Sequence, residues 1–150
     1  MTAANPQFPL TAAMPYKYIF FGTPEFAEII LRRLAKAGML PLALVCNPDR
    51  PINREKTITP PPAKKYIREN FPEIKIFQPE KIDNAFLTEL KNTDADFYIV
   101  AAYSKILPTE LLAIPLLGVI GVHPSLLPKY RGSTPIQSAI LAGEEETGVS

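Results

Sequence analysis

The stretch Tyr18 to Cys46, YIFFGTPEFAEIILRRLAKAGMLPLALVC, decides the fold. Its first four residues are aromatic or β-branched and uncharged, the composition of a strand buried on both faces. Gly22 and Thr23 then turn the chain. Thr23 is placed to cap a helix, and Pro24 suits the first helical position, where its missing N–H would be unpaired anyway. Phe26, Ile30 and Leu34 recur at four-residue spacing, Glu25 and Glu28 lie near the positive end of the helix dipole, and Arg32, Arg33 and Lys36 lie near the negative end. Gly38 stops the helix, and Leu42 to Cys46 forms a second apolar run. Apolar runs alternating with helical patterns are the signature of a parallel α/β sheet.

The alternation continues outward. Asn47 to Pro62 carries Pro48, Pro51, Pro60, Pro61 and Pro62 and reads as a long irregular loop, a type of segment that is usually functional when ordered. Ala63 to Asn70 reads as a helix and Ile74 to Phe77 as a short strand. Asp83 is the cap of a helix over Asn84 to Leu90, Phe97 to Ala102 is the clearest buried strand, and Thr109 to Leu112 is a short helical turn. Val119 to Val122 is a strand, and Pro135 to Leu141 a last helix before Gly143. The expected architecture is α/β: a Rossmann-like open, mainly parallel sheet with helices on both faces. Thr147 to Ser150 reads as the opening of a further strand, whose backbone groups another segment or a partner chain would have to complete.

Composition bounds the function classes. The chain of 150 residues fits one domain, and 47% hydrophobic against 21% charged residues argues for a packed core. Sixteen basic residues against fifteen acidic leave a net charge of +1, so a charged partner must be met by a local patch. Residues Met1 to Tyr16 lack charge, a basic start and a continuous apolar stretch, and read as a loose leader rather than a secretory signal. No segment is apolar for long enough to cross a bilayer, so the expected location is the cytoplasm, away from membranes. Cys46, the single cysteine, reads as core packing.

In open α/β sheets ligands bind beyond the carboxyl ends of the strands. That rule puts Gly22 to Glu25, Asn47 to Arg50, Tyr103 to Pro108 and His123 to Arg131 on one rim. His123 is the only histidine. As a residue it fits two roles, a strand-end histidine bonded to backbone or a general acid or base near neutrality. Without a second histidine or a cysteine pair, a metal site is not expected. Neither Ser125 nor Ser133 stands in a G-x-S-x-G turn, and Gly22-Thr23-Pro24 lacks the glycines of a dinucleotide or P-loop site. Pro124 and Pro128 restrict the loop after His123, which is either a rigid connector or a wall offering fixed backbone groups and two leucines to a flat heterocycle. Between Asp49 and Glu69 six basic residues (Arg50, Arg54, Lys56, Lys64, Lys65, Arg68) face three acidic ones (Asp49, Glu55, Glu69). This is either a solvated face or a modest phosphate-contacting patch.

Three stretches together, FFGTPEFA, NPDRP and VHPSLLPKYRGSTPIQSAILAGEEETGVS, resemble the N-terminal formyl-transfer domain of methionyl-tRNA formyltransferase. The resemblance covers about Tyr18 to Ser150. HPSLLP alone is shared with glycinamide ribonucleotide formyltransferase, whereas GTPEFA, RGSTPIQ and ETGVS favour the tRNA family. By this resemblance the domain spans 17–150 after a leader of 1–16, is incomplete at its C-terminal side, and lacks the family's separate tRNA-binding domain. The formyl donor would be 10-formyltetrahydrofolate and the acceptor the amino group of initiator methionyl-tRNA. His123 matches the family's catalytic histidine. Ser125, Leu126, Leu127 and Pro128 match its folate-binding loop, and Arg54 and Lys56 fall in its basic loop near the tRNA acceptor end. Two departures accompany the match. The family has asparagine, an oxyanion donor, where this chain has Gly121, and an aspartate that supports the histidine follows the ETGVS motif in the family. The resemblance therefore implies a formyltransferase that is impaired or inactive as this chain. The alternatives are a catalytically dead folate-binding or interaction module, and another folate-dependent formyltransferase.

Overall fold

A computed structural model of the protein describes residues 16–52 and 57–150. Along them the chain runs β1 (Tyr18–Gly22), α1 (Glu25–Lys36), β2 (Ala43–Val45), β3 (Arg50–Ile52), β4 (Thr57–Thr59) and α2 (Pro62–Asn70). It continues through β5 (Lys75–Phe77), α3 (Asn84–Lys91), β6 (Phe97–Ala101), α4 (Thr109–Leu112), β7 (Val119–Val122) and α5 (Pro135–Leu141). Five strands form one sheet in the order β5-β2-β1-β6-β7, and all of its pairings are parallel. The first three strands step outward from β1 on one side, and β6 and β7 follow on the other. The switch point therefore lies between β1 and β6, where open sheets of this type bind ligands.

β1 is central and buried on both faces, which accounts for its uninterrupted apolar sequence. Tyr18 and Phe20 pack with Ala27 and Leu31 of α1 and Ala63 and Ile67 of α2. Ile19 and Phe21 pack on the opposite face with Phe86 and Leu90 of α3 and Leu111 of α4. Helices thus cover both faces, as the sequence reading expects. Cys46 is buried among the first group as a free thiol, and burial pushes its pKa up to about 12. α1 ends in a Schellman arrangement: Gly38, at φ +76°, donates to Ala35 O, and Met39 N donates to Leu34 O. Asp83 caps α3 by accepting from Phe86 N at 3.0 Å.

Two expectations are corrected. Thr23 does not cap α1; Pro24 occupies the N-cap position without a side-chain bond, and Thr23 Oγ1 accepts instead from Asn47 N at 3.1 Å. A tie between the ends of β1 and β2 outcompetes the local cap. The segment 47–62 is also not irregular throughout, because β3 and β4 pair antiparallel with Arg50 opposite Thr59 and Ile52 opposite Thr57. The proline density of the segment masked the strand signal.

Gly22 shows how closely β1 meets its neighbours. A Cβ added there would stand 2.6 Å from Ala27 Cβ and 2.7 Å from Ala101 O. Gly22→Ala is accordingly expected to lower stability by about 1–3 kcal/mol through overpacking. A urea titration checks this as a lower midpoint at an unchanged slope.

Candidate active site

The carboxyl ends of β1, β2, β6 and β7 enclose a cavity of about 940 Å³ at the switch point. Thr23 and Pro24 line it from the β1 turn, Asn47 from β2, Tyr103 and Ser104 from β6, and Gly121, His123, Pro124, Leu127 and Arg131 from β7 and its loop. The four segments that the strand-end rule assigns to one rim therefore meet around one space. Asn47 bridges two of them, its Nδ2 donating to Ser104 Oγ at 2.7 Å. Asn47 Oδ1 and the Tyr103 hydroxyl are buried in this wall with no hydrogen-bond partner among the described residues.

The loop after β7 is held by its own polar groups. His123 N donates to Ser150 O at 2.8 Å and Ser150 N returns the bond to His123 O at 2.9 Å, a single antiparallel pair where the sequence suggests a strand opening. Ser125 is fully buried; its Oγ donates to Lys129 O at 2.7 Å, and its carbonyl accepts from Ser150 Oγ at 2.9 Å. Leu127 N donates to Ser150 Oγ, and Lys129 N closes a turn onto Leu126 O across the cis Leu127–Pro128 bond. Leu126 and Leu127 remain about half exposed, so the loop presents apolar side chains on a backbone that is already committed. Of the expected folate-loop residues only Leu127 lines the cavity, beside His123; Leu126 and Pro128 lie off its wall, and Ser125 is turned inward as a strut.

His123 Nε2 lies 2.9 Å from Tyr130 O. A carbonyl oxygen only accepts, so Nε2 carries the proton of this bond, and the neutral ring keeps its lone pair on Nδ1. No described residue hydrogen-bonds to Nδ1. One ring nitrogen is thus anchored to backbone, the first of the two roles the sequence allows, and the other has no hydrogen-bond partner among the described residues.

The sequence matches the formyl transferase family over residues 16–150. The chain belongs to that family. It is 47% identical over 135 residues to methionyl-tRNA formyltransferase of Halalkalibacterium halodurans, covering 89% of this chain and 42% of the relative. The chain thus spans less than half the length of the curated relatives it matches. Glycinamide ribonucleotide transformylase 1 of Geobacillus kaustophilus superposes with a TM-score of 0.63 at 26% identity, over 89% of this chain and 72% of that one. Phosphoribosylglycinamide formyltransferase of Bacillus halodurans shares the fold with a TM-score of 0.66 at 20% identity, over 89% and 69%.

Within this formyl transferase domain the second rim network is one that sequence reasoning missed. Lys64, counted there with a basic surface run, is 3% exposed. Its three ammonium donors meet Asp49 Oδ1 and Oδ2 at 2.7 Å and Gln78 Oε1 at 2.6 Å. Gln78 Nε2 in turn donates to Asn47 O and Asp49 Oδ1. These bonds from Gln78 and Lys64 hold the Asp49 carboxyl below its ordinary range. The available signal was Lys64 between Ala63 and Tyr66–Ile67 on the buried face of α2. Beside it Arg50 pairs with Glu80 at 2.8 Å on the surface. Arg54 and Lys56 lie outside the described residues. Among the described residues no cluster of three metal-binding side chains occurs, and no helix is long and apolar enough to cross a membrane.

Proposed function

We propose that the chain supplies the donor-side half of a methionyl-tRNA formyltransferase, which moves a formyl group from 10-formyltetrahydrofolate to the amino group of methionine on initiator tRNA. The observation that carries the reading is His123 with a free Nδ1 on the wall of the switch-point cavity, in a chain 47% identical to a protein of that name. The lower identity to the glycinamide ribonucleotide enzymes favours the tRNA acceptor.

In this reading the pterin ring lies against the Leu126–Pro128 loop, and Ser125 acts by fixing the loop rather than by touching the folate. The acceptor nitrogen attacks the formyl carbon and forms the new C–N bond while the carbonyl electron pair moves to oxygen. His123 Nδ1 takes the proton that the nitrogen sheds and delivers it to the departing folate nitrogen, whose C–N bond breaks as the carbonyl re-forms. Nε2–H on Tyr130 O keeps the ring aimed throughout. Arg54 and Lys56, which fall between β3 and β4 in the sequence, supply positive charge toward the acceptor phosphates, and the residues of the relatives beyond this chain's match supply the remaining tRNA contacts.

His123→Ala is expected to reduce transfer to methionyl-tRNA by about 100-fold to 10,000-fold, the usual worth of a positioned acid–base group. Folate affinity measured by calorimetry should stay within about threefold, since the loop backbone is unchanged. Equal activity of the variant, or absence of folate binding by the parent chain at millimolar concentration, would remove the proposal. A second reading rests on Gly121: a domain that binds folate without turnover. It predicts calorimetric binding with no formylated product, even when the chain is mixed with the remaining portion of the Halalkalibacterium relative.

A further inference from the structure

We propose that Glu144 is a positioning residue for His123, acting through Tyr130, and that the Glu144–Tyr130–Lys129 cluster sets which nitrogen of the imidazole is free. The inference rests on the acid–base role given to His123 above, but its structural content stands apart from any transfer activity.

Glu144 has a fixed root. α5 ends at Leu141 with Ala142 as its cap, and Gly143 follows with a φ of +68°, the left-handed conformation that glycine adopts without a Cβ penalty. Gly143 N donates to Ile140 O and Glu144 N to Ala139 O, the paired bonds of a Schellman ending. The Glu144 backbone is thereby tied to the last turn of the helix. Its Oε1 accepts from the Tyr130 hydroxyl at 2.6 Å and from Lys129 Nζ at 2.9 Å.

The two residues that Glu144 holds are the two whose carbonyls receive the active-site loop. Lys129 O accepts from Ser125 Oγ at 2.7 Å, and Tyr130 O is the partner of His123 Nε2 at 2.9 Å. Tyr130 sits at φ +53°, a conformation costly for a residue with a Cβ and kept only where the surroundings enforce it. The short bond from its hydroxyl to Glu144 is such a constraint. It points the Tyr130 carbonyl at the imidazole. The bonds from Tyr130 and Lys129 also keep the Glu144 carboxyl below its ordinary range, so it is ionised and accepting at neutral pH.

Because the chain has one histidine, its imidazole gives one set of nitrogen resonances, and the tautomer is read directly by ¹⁵N NMR of the whole chain above the ring's titration. The parent protein should show the Nε2–H form in clear excess. Glu144→Ala should reduce the ratio of Nε2–H to Nδ1–H by about fivefold, the loss expected when one ordinary hydrogen bond ceases to be held. Tyr130→Phe, which removes only the hydroxyl, should do the same. Glu144→Gln should restore most of the parent ratio, because its amide oxygen still accepts from Tyr130. A merely structural ion pair would leave the ratio unchanged in variants whose amide spectra remain folded, and that result would overturn the inference. So would a parent ring found mainly as Nδ1–H. If Glu144→Ala fails to fold, Tyr130→Phe decides. Failure of formyl transfer in the parent would instead count against the function proposed above and leave these tautomer ratios to be read independently.

Discussion

Gly121→Asn is expected to raise the rate of formyl transfer by about 100-fold to 1,000-fold, the usual worth of one oxyanion donor. Gly121 lies in β7 and lines the cavity two residues before His123, so a side chain placed there shares a sheet face with the histidine. A Cβ at this position meets nothing within 4 Å, and its φ is not in the left-handed region. Asparagine therefore enters without a clash and without backbone strain. Neither condition that normally demands glycine holds at this site. Gly22, in contrast, is enforced by three contacts below 3 Å. In the proposed transfer the added amide would donate to the formyl oxygen as charge builds there, an interaction stronger in the transition state than in the bound substrate. Single-turnover transfer should rise while folate affinity changes by less than about threefold. The assay compares both versions of the chain, each alone and mixed with the remaining portion of the Halalkalibacterium relative. A rate that does not rise in either setting would show that the oxyanion donor is not what limits this site.

The elements most legible in the sequence were those whose signals are local. β1 could be read because a strand buried on both faces leaves no polar residue to interrupt it, and α1 because its apolar spacing, terminal charges and Gly38 all agree. Asp83 was legible as a cap because no distant group competes for Phe86 N. Thr23 was misread for the opposite reason: its hydroxyl satisfies Asn47 N, 24 residues away, and such a partner exists only after the sheet has formed. Lys64 follows the same logic. A lysine on a helix reads as solvated until the fold brings Asp49 and Gln78 to it from two other segments. At the candidate site, the strand-end rule located the rim segments without any knowledge of contacts. It could not foresee that Ser125 turns inward to Lys129 O, or that Glu144 reaches back to Tyr130, because both depend on the path of the loop between Pro124 and Gly132.

Asp49→Asn is expected to destabilise the protein by about 3 kcal/mol, because it leaves the buried Lys64 ammonium with only neutral acceptors. For a domain of this size that corresponds to a fall in Tm of about 10 °C. The Lys64 side chain is 4% exposed and that of Asp49 28% exposed, so the lysine cannot recover its lost bonds from water while the aspartate partly can. The asymmetry yields a second, sharper expectation. Lys64→Met removes the buried charge and keeps the apolar stem's packing against α2's neighbours, and should cost less than Asp49→Asn. The double variant Lys64→Met/Asp49→Asn should be more stable than Asp49→Asn alone, a coupling that thermal unfolding of the four proteins measures directly. The pH dependence has a definite sign. The folded pKa of Asp49 is depressed, so its contribution is fully present above the ordinary aspartate value of 3.8 and is lost only as pH falls through the lower folded value. The parent should lose stability on acidification more steeply than Lys64→Met below that point. Equal acid sensitivity, or equal stability of Asp49→Asn and the double variant, would mean that the three groups are held by the surrounding backbone rather than by one another. Because Gln78 joins the same pair to Asn47 O, loosening it should also free Asn47 at the cavity wall, so that the cost extends from the core of α2 to the rim where the ligand is proposed to bind.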